Sequence, residues 1–416
     1  MDERATLFRE VVCPFCSLGC DDLEVAAEGS ALRLVGPDCA TAAAGFARAV
    51  PALAPSIDGQ PATLDAAVAR AADLLQASTL PLFGGLGTDV AGMRAILALA
   101  DRLGGIVDHA GSRGLLANVR AMQDGGTVTT TLAEIRNRAD LVLIVATDVA
   151  AIAPRFAERC LTPATGLFGS LHRALVHLGP GTPLPGAEVI PCPAERIGEA
   201  VAALRALAAG HRLAATTVAG ILLTTLTALV GRLHAAAYPV IVWAARDLPG
   251  AHPDLVTGTV AGLLRELNAK QRCCGLPLVG PDNIVGVNQV CAWQTGGPLR
   301  TSFAAGAPDH DPARWSTAAV LGAADCLLWV STIGSQPLPT AWHGPTIALV
   351  RPGHPLPEGV AVVIPVGTPG LDHAGSLYRT DGVVALPVRA LRATGLPSAA
   401  AVLDAIRARL AAREAA

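Results

Sequence analysis

The chain has 416 residues, of which 51% are hydrophobic and 16% are charged, and its formal net charge is -3. At roughly 100 to 200 residues per domain, this length predicts two or three domains with substantial cores. A net charge this small and slightly negative does not attract nucleic acid or an anionic membrane surface, so we expect neither partner.

Amphipathic helices alternate with short apolar strands from about residue 63 onward. Helical spacing predicts a helix from Thr63 to Ser78, with Thr63 as its N-cap, followed by a strand at Leu80 to Gly85. Further strands are predicted at Asp140–Ala146, Tyr238–Ala244, Asp325–Ser331 and Thr346–Val350, with helices at Asp89–Leu103 and Leu255–Leu267. This alternation is typical of parallel sheet covered on both faces.

The longest stretch without charged residues or histidine, from Leu213 to Gly231, tests whether the chain enters a membrane. It carries several threonines and no flanking aromatic residues, whereas a spanning helix usually needs about 20 predominantly apolar residues. We therefore predict a buried helix here. The first residues, MDERATLFREVVC, are charged and lack the apolar core of a secretory signal, so we expect a cytoplasmic protein.

The domain organisation follows from where the alternation begins. Cys, Gly and Pro punctuate the stretch before about Pro51 and predict a small cap over residues 1–50. We expect Rossmann-like α/β domains over 51–160 and 161–320, and an α/β segment over 321–416 that completes them and ends in a helix. Two strand units, NRADLVLIVATDVA from Asn137 and AADCLLWVSTIGSQ from Ala323, resemble each other and favour two related α/β domains.

Four cysteines cluster near the start of the chain: Cys13, Cys16 and Cys20 in CPFCSLGCDD, and Cys39 in GPDCATAAAGF. In a reducing cytoplasm such clusters bind metal more often than they form disulfides. This spacing lets a tight loop present three thiolates to a four-iron four-sulfur cluster while a later segment supplies the fourth. A tetrahedral zinc site is the alternative, because zinc also accepts four thiolates. We expect the other cysteines to pack in the core.

Cysteines spaced this way at the head of a long α/β chain resemble the molybdopterin oxidoreductases, and within them the B-type subunits of formylmethanofuran dehydrogenase. The similarity continues, in family order, through Gln123–Gly126, Glu134–Asp140, Pro154–Arg155, Val279–Gly306 and Gly370–Pro387. The resemblance implies a molybdopterin-oxidoreductase-like fold with several Rossmann-like parallel-sheet domains. It also implies a molybdenum or tungsten ion between two pterin dithiolenes, with a protein cysteine or selenocysteine as a further ligand and a nearby cluster that passes electrons.

The sequence departs from that family where the metal should be held. The family's Asp-Asn-Thr-x-Ser-x-Cys-His-Gly-Pro-like stretch corresponds to residues 108–117, which puts Gly114 at the ligand cysteine and Leu115 at the adjacent histidine. Glycine has no donor atom for a metal. The basic residue and glycine after the fourth cysteine are replaced by residues 40–42 (Ala-Thr-Ala), and an Arg-Gly-His-Tyr-Asn-like segment reads Val-Gly-Pro-Asp-Asn at residues 279–283. We therefore expect no molybdenum, tungsten or pterin.

Two further features leave alternatives open. Gly84, Gly85 and Gly87 follow a strand and precede a helix, where a phosphate could bind, but their spacing is not G-x-G-x-x-G. A polar group near the end of the chain is either a salt-bridged loop or a remnant of pterin recognition, and it comprises Asp372, Tyr378, Arg379 and Asp381.

Two functions follow from the resemblance. In the first, the chain is a non-catalytic scaffold, the B-type subunit of a related formyltransferase/hydrolase complex. The hydrolase, transferase and C-type subunits of such a complex move a formyl group from tetrahydromethanopterin to a methanofuran-like carrier and hydrolyse it to formate. In the second, the chain is an active molybdenum or tungsten dehydrogenase subunit that reduces carbon dioxide to formate. Gly114 favours the scaffold, with no catalytic residue on this chain and a metal site only at the four cysteines.

Overall fold

The computed structural model describes residues 5–51, 53–250 and 252–414, and its chain divides into two compact units. The terminal unit joins Met1–Ser112 to Pro281–Ala416, and the inserted unit is Arg113–Gly280. The sequence predicts domain boundaries after residues 160 and 320, whereas the chain passes between the two units after residues 112 and 280. Strands distant in sequence pair within one sheet, such as Pro81–Gly87 with Cys326–Ser331, so both ends of the chain are needed to build the terminal unit.

The terminal unit is organised around a nine-stranded sheet. In spatial order its strands are Asp309–His310, Thr301–Ser302, Ile106–Val107, Pro81–Gly87, Cys326–Ser331, Thr346–Val350, Val362–Pro365, Ser56–Ile57 and Gln60–Pro61. The five strands from Ile106–Val107 to Val362–Pro365 are parallel, and short antiparallel strands complete both edges. The parallel strands have the 2-1-3-4-5 order of flavodoxin-like folds, which bind ligands where the first and third strands meet.

The inserted unit contains a five-stranded, wholly parallel sheet. In spatial order its strands are Glu188–Ile190, Ala174–Leu178, Leu141–Val145, Pro239–Trp243 and Cys274–Pro277. This is the 3-2-1-4-5 order of a Rossmann-type sheet, whose ligand crevice lies beyond the carboxyl ends of the first and fourth strands. Every residue of Leu141–Val145 and Pro239–Trp243 is buried, as expected for strands covered on both faces.

Helices and small hairpins complete both units. Helices of the terminal unit are Ala40–Phe46, Leu64–Ala77, Val90–Leu103, Ile284–Thr295, Thr317–Val320 and Ala399–Glu414. The helix Ser112–Gly125 begins at the boundary between the units. The helices of the inserted unit are Leu132–Arg138, Val149–Ile152, Ile197–Ala208, Leu223–Ala235 and Pro253–Asn268. A short π-helix at Ala157–Leu161 and a short 3-10 helix at Ala194–Arg196 also belong to it. The small antiparallel pairs are Thr165–Gly166 with Gly169–Ser170, Thr217–Val218 with Ile221–Leu222, and Gly375–Tyr378 with Ala385–Val388.

The predicted α/β alternation is confirmed, with small shifts at the ends of elements. Thr63 caps the helix Leu64–Ala77, since its Oγ1 accepts a hydrogen bond from Ala66 N at 3.2 Å. The single buried helix predicted over residues 213–231 is wrong, because the helix there is Leu223–Ala235 and follows a hairpin. Ala219 and Gly220 turn that hairpin with φ of 54° and 79°, a conformation that a right-handed helix does not contain. No helix of the described residues is long and apolar enough to cross a membrane.

The predicted N-terminal cap is an antiparallel sheet of Thr6–Val11, Leu23–Glu28 and Ala31–Gly36 followed by the helix Ala40–Phe46. A buried ion pair ties it to the end of the chain. Arg392 Nε donates to Asp372 Oδ1 at 2.7 Å, and its Nη1 donates to the carbonyl oxygens of Ser30 and Arg48 at 3.1 and 3.0 Å. The Arg392 and Asp372 side chains are only 3% and 1% exposed, so neither charge has water as an alternative partner.

Replacing Arg392 with Ala should lower the free energy of unfolding by about 3 to 5 kcal/mol, because it leaves the Asp372 carboxylate buried and unpaired. Denaturant unfolding of the purified protein measures the change. Arg407→Ala is the matched control, since Arg407 and its partner Asp404 are about half exposed and such pairs contribute about 0.2 to 1 kcal/mol. Equal effects of the two substitutions would contradict the anchoring role.

Candidate metal centre and the ligand position at Gly114

A tight loop carries three of the four clustered cysteines. The loop is closed at its base, where Cys13 N donates to Cys20 O at 2.7 Å, and Gly19 N donates to Cys16 O at 3.4 Å. Gly19 has φ of +58°, so a residue with a side chain would be strained there. Cys39 lies immediately before the helix Ala40–Phe46.

Packing fixes the position of this loop within the terminal unit. Thr380 N donates to Ser17 O at 2.7 Å, and a Cβ atom added to Gly19 would lie 2.6 Å from Leu386 Cδ1. The loop therefore rests on the hairpin Gly375–Val388. The Phe15 ring of the loop also meets the Phe46 ring edge-on, at 5.1 Å between centroids.

The four thiols have the donor chemistry of an iron–sulfur cluster or a zinc ion. Cys13 and Cys20 are buried, and Cys16 and Cys39 are partly exposed. Burial raises the pKa of the Cys13 thiol well above its usual value, and the neighbouring Cys16, Cys20 and Cys39 raise it further. No three metal-binding side chains of the described residues lie close enough together to share one ion.

The remaining cysteines lie in the interior, as the sequence predicted. They are all buried and form no disulfide, and they comprise Cys160, Cys192, Cys273, Cys274, Cys291 and Cys326. Burial raises the pKa of Cys273 and of Cys326 to about 12, so both are neutral thiols that pack as small apolar side chains.

The polar group near the end of the chain consists largely of ion pairs. Arg379 pairs with Asp381 at 2.7 Å, and Asp372 forms the buried pair with Arg392 already described. Tyr378 takes part through its backbone, whose N–H donates to Asn283 Oδ1 at 2.8 Å. These contacts favour the salt-bridged loop over a remnant of pterin recognition.

Arg48 supplies a positive charge that sequence reasoning missed. Residues 40–42 lack a basic side chain, but the guanidinium of Arg48 lies 5.0 Å from the centre of the Phe15 ring in the cysteine loop and also donates to the carbonyl of Ile333. Burial and the nearby Arg351 lower the pKa of Arg48 to about 10. The sequence could have indicated this charge, because Arg48 lies just beyond the helix Ala40–Phe46 and only nine positions after Cys39.

A second polar centre lies at the carboxyl end of the first and third parallel strands of the terminal unit. Asp282 is 1% exposed and has φ of +64°. Its Oδ2 accepts a hydrogen bond from Gln336 Nε2 at 2.9 Å, whereas its Oδ1 is buried without a hydrogen-bond partner. Gly87 and Gly334 leave room for this carboxylate, since a Cβ atom on either would press against it. The sequence indicated only that the family's imidazole is absent here.

His109 brings an imidazole to the same place from another segment. It is 2% exposed, its Nε2 lies 3.3 Å from the carbonyl oxygen of Asp282, and its Nδ1 accepts from Gly111 N at 2.9 Å. Burial lowers the pKa of His109, although the nearby Asp282 carboxylate opposes that shift. A neutral imidazole that accepts at Nδ1 and carries its proton on Nε2 satisfies both contacts.

The glycines at residues 84–87 serve close packing. Cβ atoms on Gly84 and Gly85 would each lie 2.9 Å from the Trp329 ring. The helix that follows, Val90–Leu103, already has an anionic cap, because the Asp89 carboxylate accepts from Gly92 N at 2.9 Å. These contacts disfavour a phosphate at this helix N-terminus.

Gly114, in the helix Ser112–Gly125 of the inserted unit, meets the backbone of another segment. A Cβ atom built on it would lie 3.0 Å from both N and Cβ of Arg246 and 3.3 Å from its Cα. Contacts this short require Arg246 to move by a few tenths of an ångström before a side chain fits, and glycine itself has no donor atom for a metal. The residues here do not fit the cysteine-held metal that the resemblance implies.

Comparisons with known proteins agree with this family resemblance. No family model matches the sequence. The B-type subunit of the formyltransferase/hydrolase complex Fhc of Methylorubrum extorquens is 35% identical over 370 residues, which are 85% of this chain and 97% of that protein. The B-type subunit of the tungsten-containing formylmethanofuran dehydrogenase 2 of Methanococcus maripaludis is 28% identical over 400 residues, which are 91% of this chain and 92% of that protein.

A solved structure agrees with the sequence relatives. The crystal structure of the formyltransferase/hydrolase complex FhcABCD of Methylorubrum extorquens, with methylofuran, contains a chain that superposes with a TM-score of 0.77 at 33% sequence identity. The match covers 87% of this chain and all of that chain (100%). The predicted fold class is therefore confirmed. The chain belongs to the family of B-type subunits found in formyltransferase/hydrolase complexes and formylmethanofuran dehydrogenases.

Proposed function

We propose that this chain is the B-type subunit of a formyltransferase/hydrolase complex and acts there as a scaffold without redox chemistry of its own. The chain is 35% identical to the Fhc protein and 28% identical to the tungsten-containing protein. This difference supports its assignment to a formyltransferase/hydrolase complex. The hydrolase and transferase subunits would carry the formyl transfer and hydrolysis, in one-carbon metabolism.

The missing donor atom at Gly114 carries the second part of the proposal, and the tight contact with Arg246 supports it. A molybdenum or tungsten site of the dehydrogenase type needs a thiolate or selenolate from the protein, and Gly114 has no donor atom and lies in tight contact with Arg246. Leu115, the next residue, has a hydrocarbon side chain that cannot transfer a proton, so the proton relay of such a site is missing as well. The alternative, an active carbon dioxide-reducing subunit, draws support only from the retained cysteines and the tungsten-containing relatives.

Exposed apolar side chains support a role in assembly. Leu167 and Phe168, at the tip of the hairpin Thr165–Ser170, are 67% and 85% exposed, and Trp293 is 60% exposed. Neighbouring exposed apolar side chains such as Leu167 and Phe168 form the kind of patch that another protein covers. We propose that hydrolase, transferase and C-type subunits cover such surfaces.

The purified complex should contain no molybdenum, tungsten or pterin. Elemental analysis by mass spectrometry and the fluorescence of oxidised pterins measure all three. A tungsten-containing formylmethanofuran dehydrogenase purified in the same way is the positive control. Pterin together with either metal at one equivalent per chain would refute the loss of the site.

The chain should aggregate when it is produced alone and should remain in solution when it is co-expressed with the hydrolase, transferase and C-type subunits. Affinity purification through a tag on this chain, followed by size-exclusion chromatography, tests both expectations. A tagged unrelated protein expressed with the same subunits controls for non-specific retention. A monodisperse lone chain that retains none of the three would contradict the scaffold proposal.

Replacing Cys16 with Ser should destabilise the segment before about Pro51 and weaken subunit assembly, because a metal-bound cap is too small to bury much core of its own. Metal analysis of the parent should give about four iron atoms with broad visible absorption, or about one colourless zinc ion. Cys192→Ser is the matched control, because Cys192 is a free, buried cysteine that is not one of the four clustered in sequence. If the parent contains neither metal and Cys16→Ser melts and assembles like Cys192→Ser, the metal site does not exist.

A further inference from the structure

The segment Ala244–Gly250 of the inserted unit, here called the strap, follows the fourth strand of the parallel sheet, Pro239–Trp243. It begins at the carboxyl edge of that strand, beside the end of the first strand, Leu141–Val145. In Rossmann-type sheets a ligand enters the crevice at this switch in strand order. The contacts of the strap therefore decide whether the crevice is open.

Hydrogen bonds hold the strap against the residues that follow the first strand. Ala244 N donates to Thr147 Oγ1 at 2.8 Å, and Thr147 follows the end of the first strand by two residues. Asp247 N donates to Ala244 O at 3.0 Å and turns the strap back on itself. The backbone of Asp148 also hydrogen-bonds the Asp247 carboxylate, so the strap lies across the end of the first strand.

The helix Ser112–Gly125 holds the opposite side of the strap. Arg113 Nη2 donates to the carbonyl oxygen of Gly250 at 2.7 Å. The closest approach is at Gly114, where the backbone of Arg246 fills the space of a Cβ atom. Packing against Arg246 thus disfavours a larger side chain at residue 114, whether or not a metal is bound.

The neighbouring loop closes the crevice from the side of the second strand. A Cβ atom on Gly181 would lie 2.7 Å from the carbonyl carbon of Thr147, and Thr182 Oγ1 donates to Asp148 Oδ2 at 2.6 Å. Asp148 also accepts from Ala151 N at 3.0 Å through Oδ1. Two carboxylates, Asp148 and Asp247, thus occupy the turn where a cofactor phosphate would need donors, and they would repel it.

We infer that the strap closes the ligand crevice of the inserted unit, and that Gly114 is favoured because a side chain there would press against the backbone of Arg246. The inference rests on the proposed loss of the metal site and extends it, since the closure excludes anionic cofactors in general. A cysteine restored at residue 114 would displace the strap before it could bind a metal.

Gly114→Ala tests the closure, with Gly258→Ala as its matched control. Both glycines are helical, but a Cβ atom on Gly258 meets nothing within 4 Å. Alanine favours both helices equally, so Gly258→Ala should melt at or above the parent temperature. Gly114→Ala should melt below it, and trypsin should cut after Arg246 about tenfold faster because the strap is displaced. The full chain, in the assembly in which it is expressed, is used throughout.

Thr147→Val provides a second route to the same outcome. It removes an anchor of the strap without adding bulk at Gly114, and it should also speed cleavage after Arg246 and amide exchange in residues 244–250. Gly114→Cys should gain no molybdenum, tungsten or pterin. The inference is overturned if Arg246 stays as protected in Gly114→Ala and Thr147→Val as in Gly258→Ala, or if Gly114→Cys binds pterin while the strap remains protected. Retention of partner subunits is scored separately, so a failed closure and a failed scaffold proposal give different results.

Discussion

A tight turn cannot join two parallel strands, because the chain leaves the first strand at its carboxyl end and must return to the opposite edge of the sheet to begin the second. Both units of this protein contain parallel sheets. Each therefore needs a crossover segment between parallel strands that follow one another along the chain. The crossovers bury the strands on both faces and leave the carboxyl edges of the sheets as the places where loops and polar side chains meet. The polar centres of the two units lie at those edges.

The two edges differ in charge and in what fills them. In the terminal unit, Asp282 enters between two glycines while Arg48 and Arg351 donate to the adjacent carbonyls of Ile333 and Gly334. Burial, and then the neighbouring Arg351 guanidinium, lower the pKa of Arg48. In the inserted unit the chain's own strap and acidic side chains fill the edge. In both arrangements the hydrogen bonds named above join groups of the same unit, although Asp282 Oδ1 accepts none.

The cysteine loop shows how a site can keep its framework through protein contacts. The hairpin beneath it, the aromatic pair with Phe46 and the Arg48 guanidinium above Phe15 all position the loop without reference to a metal. The buried Arg392–Asp372 pair then joins the cap to the end of the chain. Because Thr380 bonds to Ser17 and Arg392 bonds to Ser30, pairs that lie hundreds of positions apart, the cap depends on the completed terminal unit.

The sequence by itself determined the class of fold, the family, the cysteine cap and the importance of Gly114, because these depend on local patterns. Hydrophobic periodicity placed the strands and helices, the cysteine spacing marked the cap, and the register of residues 108–117 identified Gly114. Tertiary structure alone decided the division into a terminal and an inserted unit, the hairpin that precedes Leu223–Ala235, and the charge that Arg48 supplies. It also revealed that the backbone of Arg246 fills the space beside Gly114. The reason is physical: strand pairing, buried charge and close backbone contact join residues that are distant along the chain, and no local pattern records the distance between them.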